Sequence, residues 1–182
     1  AKTPQCYDKA IKMSLRWFKG TLGFGLIADV DDDSGVEWRV DSDWAGLHGI
    51  AGATYSRGGR IGRYSGMAYH WWTGPIGNRR SSAEAEAFSK SGCVKMAMHY
   101  DYIMDELDIP RPARVMIGVD ASAAISFADN TASAGRMKHI DVRLDWMRAL
   151  RDRSRVEFFK VPGDVNLADF MTKLLTAAEC VR

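Results

Sequence analysis

Little in this sequence points to secretion, a zinc site or a membrane. Its three cysteines, Cys6, Cys93 and Cys180, lie far apart with no C-x-x-C pair, and its four histidines show no zinc-ligand spacing. A disulfide framework and a zinc finger are therefore excluded, and a reducing compartment is expected. No run approaches the roughly 18 apolar residues of a membrane span. The start, Ala1-Lys-Thr-Pro, has neither Met nor the apolar core of a signal peptide, and is read as belonging to a fragment or a processed product. Charge of one sign does not dominate: 25 Lys and Arg against 23 Asp and Glu leave a formal +2. That balance permits a nucleic-acid partner without requiring one. Internal repeats and low-complexity segments are also missing.

What is present is globular material. A chain of 182 residues, 46% hydrophobic and 26% charged, is long enough for one sizeable core, so one main domain is expected. Ile11, Leu15 and Phe18 recur at helical spacing with Gly20 as a stop, and a strand is expected around Phe24 to Ala28. Val36, Trp38 and Val40 alternate with Glu37, Arg39, Asp41 and Asp43, the period-two signature of a strand from Val36 to Trp44. Strand-like runs over Gly52 to Ser56 and Arg63 to Trp72 flank the RGGRIG segment, which is read as a turn, giving a three-stranded meander.

At Ser81 the period changes. Ser81 and Glu84 form a capping-box pattern, and the stretch through Leu107, before Pro110, reads as a long helix. The apolar run Ala113 to Val119 suits a buried parallel strand. Helices are expected over Ala121 to Ala128, Ile140 to Leu150 and Asn166 to Leu175, with a strand over Val156 to Val161. The result is an α/β fold: a five-stranded mixed sheet with helices on both faces.

Phosphodiester hydrolysis needs charge neutralisation on the phosphate, an activated water and a stabilised leaving oxygen, which two Mg²⁺ ions roughly 3.5 to 4 Å apart can supply. Such ions take several carboxylate oxygens from separate elements. Asp41 and Asp43 share one strand face. Glu84 and Glu86 stand in the first turns of the long helix, where the dipole favours ionised carboxylates. Asp120 directly follows VMIGV, at the carboxyl end of the expected parallel strand, where open α/β sheets gather ligands. Asp169 lies within NLADFMTKL. Any one of these would ordinarily be a solvated surface group, but four at element ends in one fold favour a site.

At this point the residues resemble a known family, the ribonuclease H domain that follows reverse transcriptase in copia-type retrotransposon polyproteins. The matching segments are VDSDWAG at Val40 to Gly46, SSAEAEA at Ser81 to Ala87, Val119-Asp120, MKHIDVR at Met137 to Arg143 and LADFMTKLL at Leu167 to Leu175. LRWFKGTLGFGL at Leu15 to Leu26 looks like the family's linker. The resemblance implies a ribonuclease H-like fold, with residues 1–30 a linker from the reverse transcriptase region, 31–176 the nuclease domain and 177–182 a tail. It implies metal ligands Asp41, Glu86, Asp120 and Asp169, with Asp43 and Glu84 as secondary candidates. The implied cofactor is two Mg²⁺ ions, with Mn²⁺ as a substitute. The implied reaction cuts the RNA strand of an RNA·DNA hybrid during reverse transcription, beside the reverse transcriptase domain of the same polyprotein. An intracellular setting follows, either a cytoplasmic virus-like particle or the nucleus, with no membrane partner and no small-molecule cofactor.

Some positions depart from the family pattern. Ser89 stands where alanine is usual, Asp145 replaces a frequent histidine and Asn166 a common glutamine. VPGDVN, before the last helix, has no histidine to match the one that assists product release in cellular relatives, so slow turnover is expected.

Holding a hybrid requires phosphate contacts on both strands and sensing of the 2′-hydroxyl. Arg57, Arg60 and Arg63 on the glycine-rich segment, Arg79 and Arg80 before the helix, and Lys138 with His139 are the candidates. Trp38 and Trp44 are expected in the core, and one of Trp71 and Trp72, at a strand end, is expected to be exposed. Other readings fail or remain as alternatives. Asp33-Ser34-Gly35 resembles an aspartic-protease motif, but Asp31 and Asp32 precede it instead of an apolar strand. Asp29, Asp31 and Asp33 have EF-hand spacing, but Ser34 and Val40 occupy the positions that need Gly and Glu. An integrase ends its acidic series in Glu, whereas here Glu comes second. The alternative that survives is a catalytically silent module that binds nucleic acid or protein.

Overall fold

The computed structural model describes residues 35–44, 55–78, 81–120 and 138–173, together with isolated positions between 11 and 25. The strands are β1 (Val36–Asp43), β2 (Ser56–Tyr64), β3 (Met67–Gly77), β4 (Val115–Val119) and β5 (Val156–Lys160). The helices are α1 (Ser82–Glu106), α2 (Lys138–Asp152) and the one-turn α3 (Asp169–Thr172). The sheet runs β3-β2-β1-β4-β5, antiparallel from β3 to β1 and parallel from β1 through β4 to β5. This is the expected five-stranded mixed sheet.

Alternation along β1 decides which face is buried. Val36, Trp38 and Val40 are 7%, 0% and 2% exposed, and they pack with Cys93, Val94 and Ala97 of α1 and with Ile117 and Val119 of β4. Leu144 and Met147 of α2 join the same cluster, so both long helices cover one face. Trp38 sits in an aromatic group, with ring centroids 5.7 Å from Tyr69 and Tyr100 and 5.1 Å from His70. Gly62 lets that indole lie against β2, because a Cβ there would come within 3.0 Å of its ring. The opposite face takes α3. A Cβ on Gly58 would meet Ser89 of α1, whereas one on Gly59 would meet Met171 and Thr172 of α3, since neighbouring strand residues face opposite ways.

α1 begins as its sequence dictates. The Ser81 side chain accepts a hydrogen bond from the Glu84 N–H at 3.2 Å. It ends at Leu107, before Asp108 takes a left-handed φ of 53°, so the turn precedes Pro110. α2 is tied to α1 by Arg143, which donates to Ser91 Oγ at 2.9 Å and lies 4.0 Å over the Phe88 ring.

Several local expectations need correction. RGGRIG lies inside β2, and the hairpin turns instead at Ser65-Gly66, both with positive φ. Three arginines alternating with glycines hid the strand, because the glycines are there to admit helices and an indole. Trp71 and Trp72 are inside β3 instead of at a strand end; Trp71 is the exposed one. Trp44 is 47% exposed and not core, because β1 ends at Asp43. The final helix is shorter than Asn166 to Leu175, running only from Asp169 to Thr172, and a separate 3-10 turn at Gly163–Val165 precedes it. Positions 11, 12, 15, 16, 19 and 20 are helical, in line with the expected first helix, although Ile11 and Leu15 are exposed. The helix expected over Ala121 to Ala128, and the strand over Phe24 to Ala28 apart from Gly25, lie outside the described residues.

Candidate metal centre

β1 and β4 are parallel neighbours, with Val40 opposite Val119, so Asp41 and Asp120 emerge side by side at their carboxyl ends. α3 brings the third group. Asn166 is 2% exposed, donates through Nδ2 to the Val40 carbonyl at 3.3 Å and accepts from the Ala168 N–H at 3.2 Å. It fastens the chain before α3 to the strand residue beside Asp41. Thr172 then donates its hydroxyl hydrogen bond to Asp41 Oδ2. Asp41, Asp120 and Asp169 each offer a carboxylate oxygen within 4.8 Å of the others.

Glu86 approaches from α1. It lines one cleft together with Asp41, Ser42, Ser89, Lys90 and Asp120; Asp41 and Asp120 also belong to the three-carboxylate group, whereas Asp169 does not line this cleft. Ser89 fixes α1 against β1 by donating to the Asp41 carbonyl at 2.7 Å. Glu84 is buried and does not line this cleft, which follows from its place about 200° around the helix from Glu86. Asp43 stands outside the three-carboxylate group.

Gathering these groups has an electrostatic cost. At 4.8 Å two unit charges repel by about 3 kcal/mol at an effective dielectric near 20. Asp41 records the strain: its pKa is pushed up to about 6, chiefly by burial and further by the charges of Asp169 and Asp120, with the Thr172 hydrogen bond and Lys173 opposing. Lys173 lies 2.7 Å from Asp169 Oδ2, while Asp169 Oδ1 is buried with no hydrogen-bond partner among the described residues. An all-oxygen set of clustered carboxylates with one orphaned buried oxygen fits a hard divalent cation of the Mg²⁺ or Mn²⁺ type.

The basic candidates are placed differently from one another. Arg57 is on the α3 side of the sheet, donating to Thr73 Oγ1 at 3.2 Å, and Thr73 in turn donates to the Met171 carbonyl. Arg60 faces α1, where its Nε donates to His70 Nε2 at 3.3 Å and its guanidinium lies 4.3 Å over the Trp72 ring. Arg63 pairs with Glu37 at 3.0 Å. The three do not form one basic rim. Arg79, Arg80 and the side chains of Lys138 and His139 lie outside the described residues. Sequence reasoning passed over Lys90, Thr172 and Lys173 at the site, and noted Ser89 and Asn166 only as departures from a pattern. Thr172 and Lys173 stood inside the quoted segment LADFMTKLL, and Lys90 and Lys173 each follow an expected ligand by four residues.

The sheet order, with helices packed against the sheet, is that of a ribonuclease H-like fold. The chain aligns over 75% of its length with the ribonuclease H1 of the archaeon Halobacterium salinarum NRC-1, covering 92% of that chain at TM-score 0.55 and 14% identity. It aligns likewise with LC11-RNase H1 in complex with an RNA/DNA hybrid, at TM-score 0.53 and 12% identity over 75% of this chain and 92% of that one. No protein-family model matches the chain. In sequence it is 28% identical over 169 residues to the retrovirus-related Pol polyprotein from transposon TNT 1-94 of Nicotiana tabacum, which spans 92% of this chain and 12% of that polyprotein. Fold and sequence kinship together agree with a resemblance to the ribonuclease H domain of a retrotransposon polyprotein.

Proposed function

We propose that this domain is a metal-dependent endonuclease that hydrolyses the RNA strand of RNA·DNA hybrids during retroelement reverse transcription. The observation that carries the reading is the convergence of Asp41, Asp120 and Asp169 at the ends of two parallel strands and a helix start. The solved hybrid complex of a protein with this fold supports the choice of substrate. Asp41, Asp120, Asp169 and Glu86 would hold two Mg²⁺ ions. When bound, the ions supply neutralisation of the phosphate and activation of water. The protein's own part is to fix the carboxylates in advance, through Asn166, Thr172 and Ser89, so that no reorganisation is needed when the scissile phosphate arrives. Arg57, beside α3, is the described arginine best placed to meet a backbone phosphate.

The test is strand discrimination. Purified protein with MgCl₂ is given a hybrid labelled on the RNA strand, the same hybrid labelled on the DNA strand, an RNA duplex and a DNA duplex. Cleavage confined to the RNA strand of the hybrid is expected. Preferential cleavage of duplex DNA would replace this reading with that of a DNA nuclease, and binding without cleavage would establish a silent module.

A further inference from the structure

Two lysines accompany the carboxylates, and they differ in freedom. Lys173 pairs with Asp169 at 2.7 Å, but its side chain is 45% exposed and can turn into water when another cation arrives. Lys90 pairs with Glu86 at 3.4 Å, and its side chain is only 9% exposed. It lines the same cleft as Asp41, Glu86 and Asp120. A buried ammonium needs anionic partners, and the carboxylates around this one are the expected metal ligands.

We propose that Lys90 is a tethered cation holding the Glu86 side of the cleft, so that the chain binds one divalent ion tightly at Asp41, Asp120 and Asp169 and a second, shared with Glu86, only weakly. This rests on the metal-dependent reading of the site. A second ion at Glu86 must bind beside the Lys90 ammonium, 3.4 Å from Glu86 Oε2, a positive charge that packing keeps in place. The first ion meets no such obstacle, because Asp169 Oδ1 has no hydrogen-bond partner among the described residues and the half-exposed Lys173 can withdraw. Lys90 acts on the ions through Glu86 and the local field, which makes it a positioning residue.

Mn²⁺ titration calorimetry on the full chain tests this, with circular dichroism reporting folding of each variant. Wild type is expected to take one ion tightly. Lys90→Met and Lys90→Gln should tighten the second ion at least tenfold, and adding Glu86→Gln to either should abolish that gain. Two tight ions in wild type, or a second ion unaffected in folded Lys90→Met and Lys90→Gln, would overturn the proposal and leave the metal-dependent reading standing. No Mn²⁺ on wild type or any variant would overturn both.

Discussion

Removing the charge of Asp41 should stabilise the metal-free protein while abolishing its function. The pKa of Asp41 is raised from 3.8 to about 6, mainly by burial. The folded state therefore binds more protons than the unfolded one between these values, and stability falls as pH rises through that window. The penalty is absent well below pH 3.8 and complete above pH 6. Two proton affinities this far apart correspond to roughly 1 kcal/mol at pH 4.5 and about 3 kcal/mol at pH 7.5. Asn at this position keeps an oxygen for the Thr172 hydroxyl and loses the charge. Urea unfolding in EDTA should place Asp41→Asn above wild type in stability, by a margin growing about 2 kcal/mol from pH 4.5 to pH 7.5. Saturating Mg²⁺ should close the gap by stabilising wild type alone. A margin that is independent of pH, or a variant less stable than wild type at pH 7.5, would refute the reasoning.

Other consequences of the packing can be checked by similar means. Gly59→Ala places a methyl 2.5 Å from Met171 Cβ and 3.0 Å from the Ala168 carbonyl, so α3 must shift and carry Asp169 with it; Mn²⁺ affinity by calorimetry should fall at least tenfold. Trp38→Ala empties a fully buried site between β1, β3 and α1 and should cost about 3 to 5 kcal/mol in urea unfolding. Ser81→Ala leaves the Glu84 N–H without its cap and should cost about 1 kcal/mol by the same measurement. Asn166→Ala removes both hydrogen bonds that seat α3, and Mg²⁺-dependent cleavage should drop while the thermal midpoint moves only a few degrees.

The strands with regular alternation and the long capped helix were legible in the sequence, because one buried face repeats at a fixed period. Trp38 and Val40 against Arg39 and Asp41 is that pattern in its plainest form. β2 was not legible: three of its buried positions are Gly58, Gly59 and Gly62, whose role is to admit Ser89, α3 and Trp38, and sequence periodicity cannot register an absent side chain. The carboxylates stood out because they sit at element ends, within segments that resemble the ribonuclease H domain of copia-type polyproteins. Their supports were hidden. Asn166 and Thr172 act on residues 126 and 131 positions away, a relation that no local spacing encodes. Arg60 had the composition of a phosphate contact and the placement of a packing residue, since its neighbours along β2 direct it toward α1.

Single-turnover cleavage of a hybrid labelled at the 5′ end of its RNA, followed across a Mg²⁺ titration for wild type and Asp120→Asn, tests the central claim most directly. Mg²⁺-dependent RNA cleavage by wild type, lost by at least a hundredfold in a folded Asp120→Asn variant, is the predicted result. Cleavage that survives in EDTA, or that the substitution leaves intact, would contradict the assignment of the site to Asp41, Asp120 and Asp169.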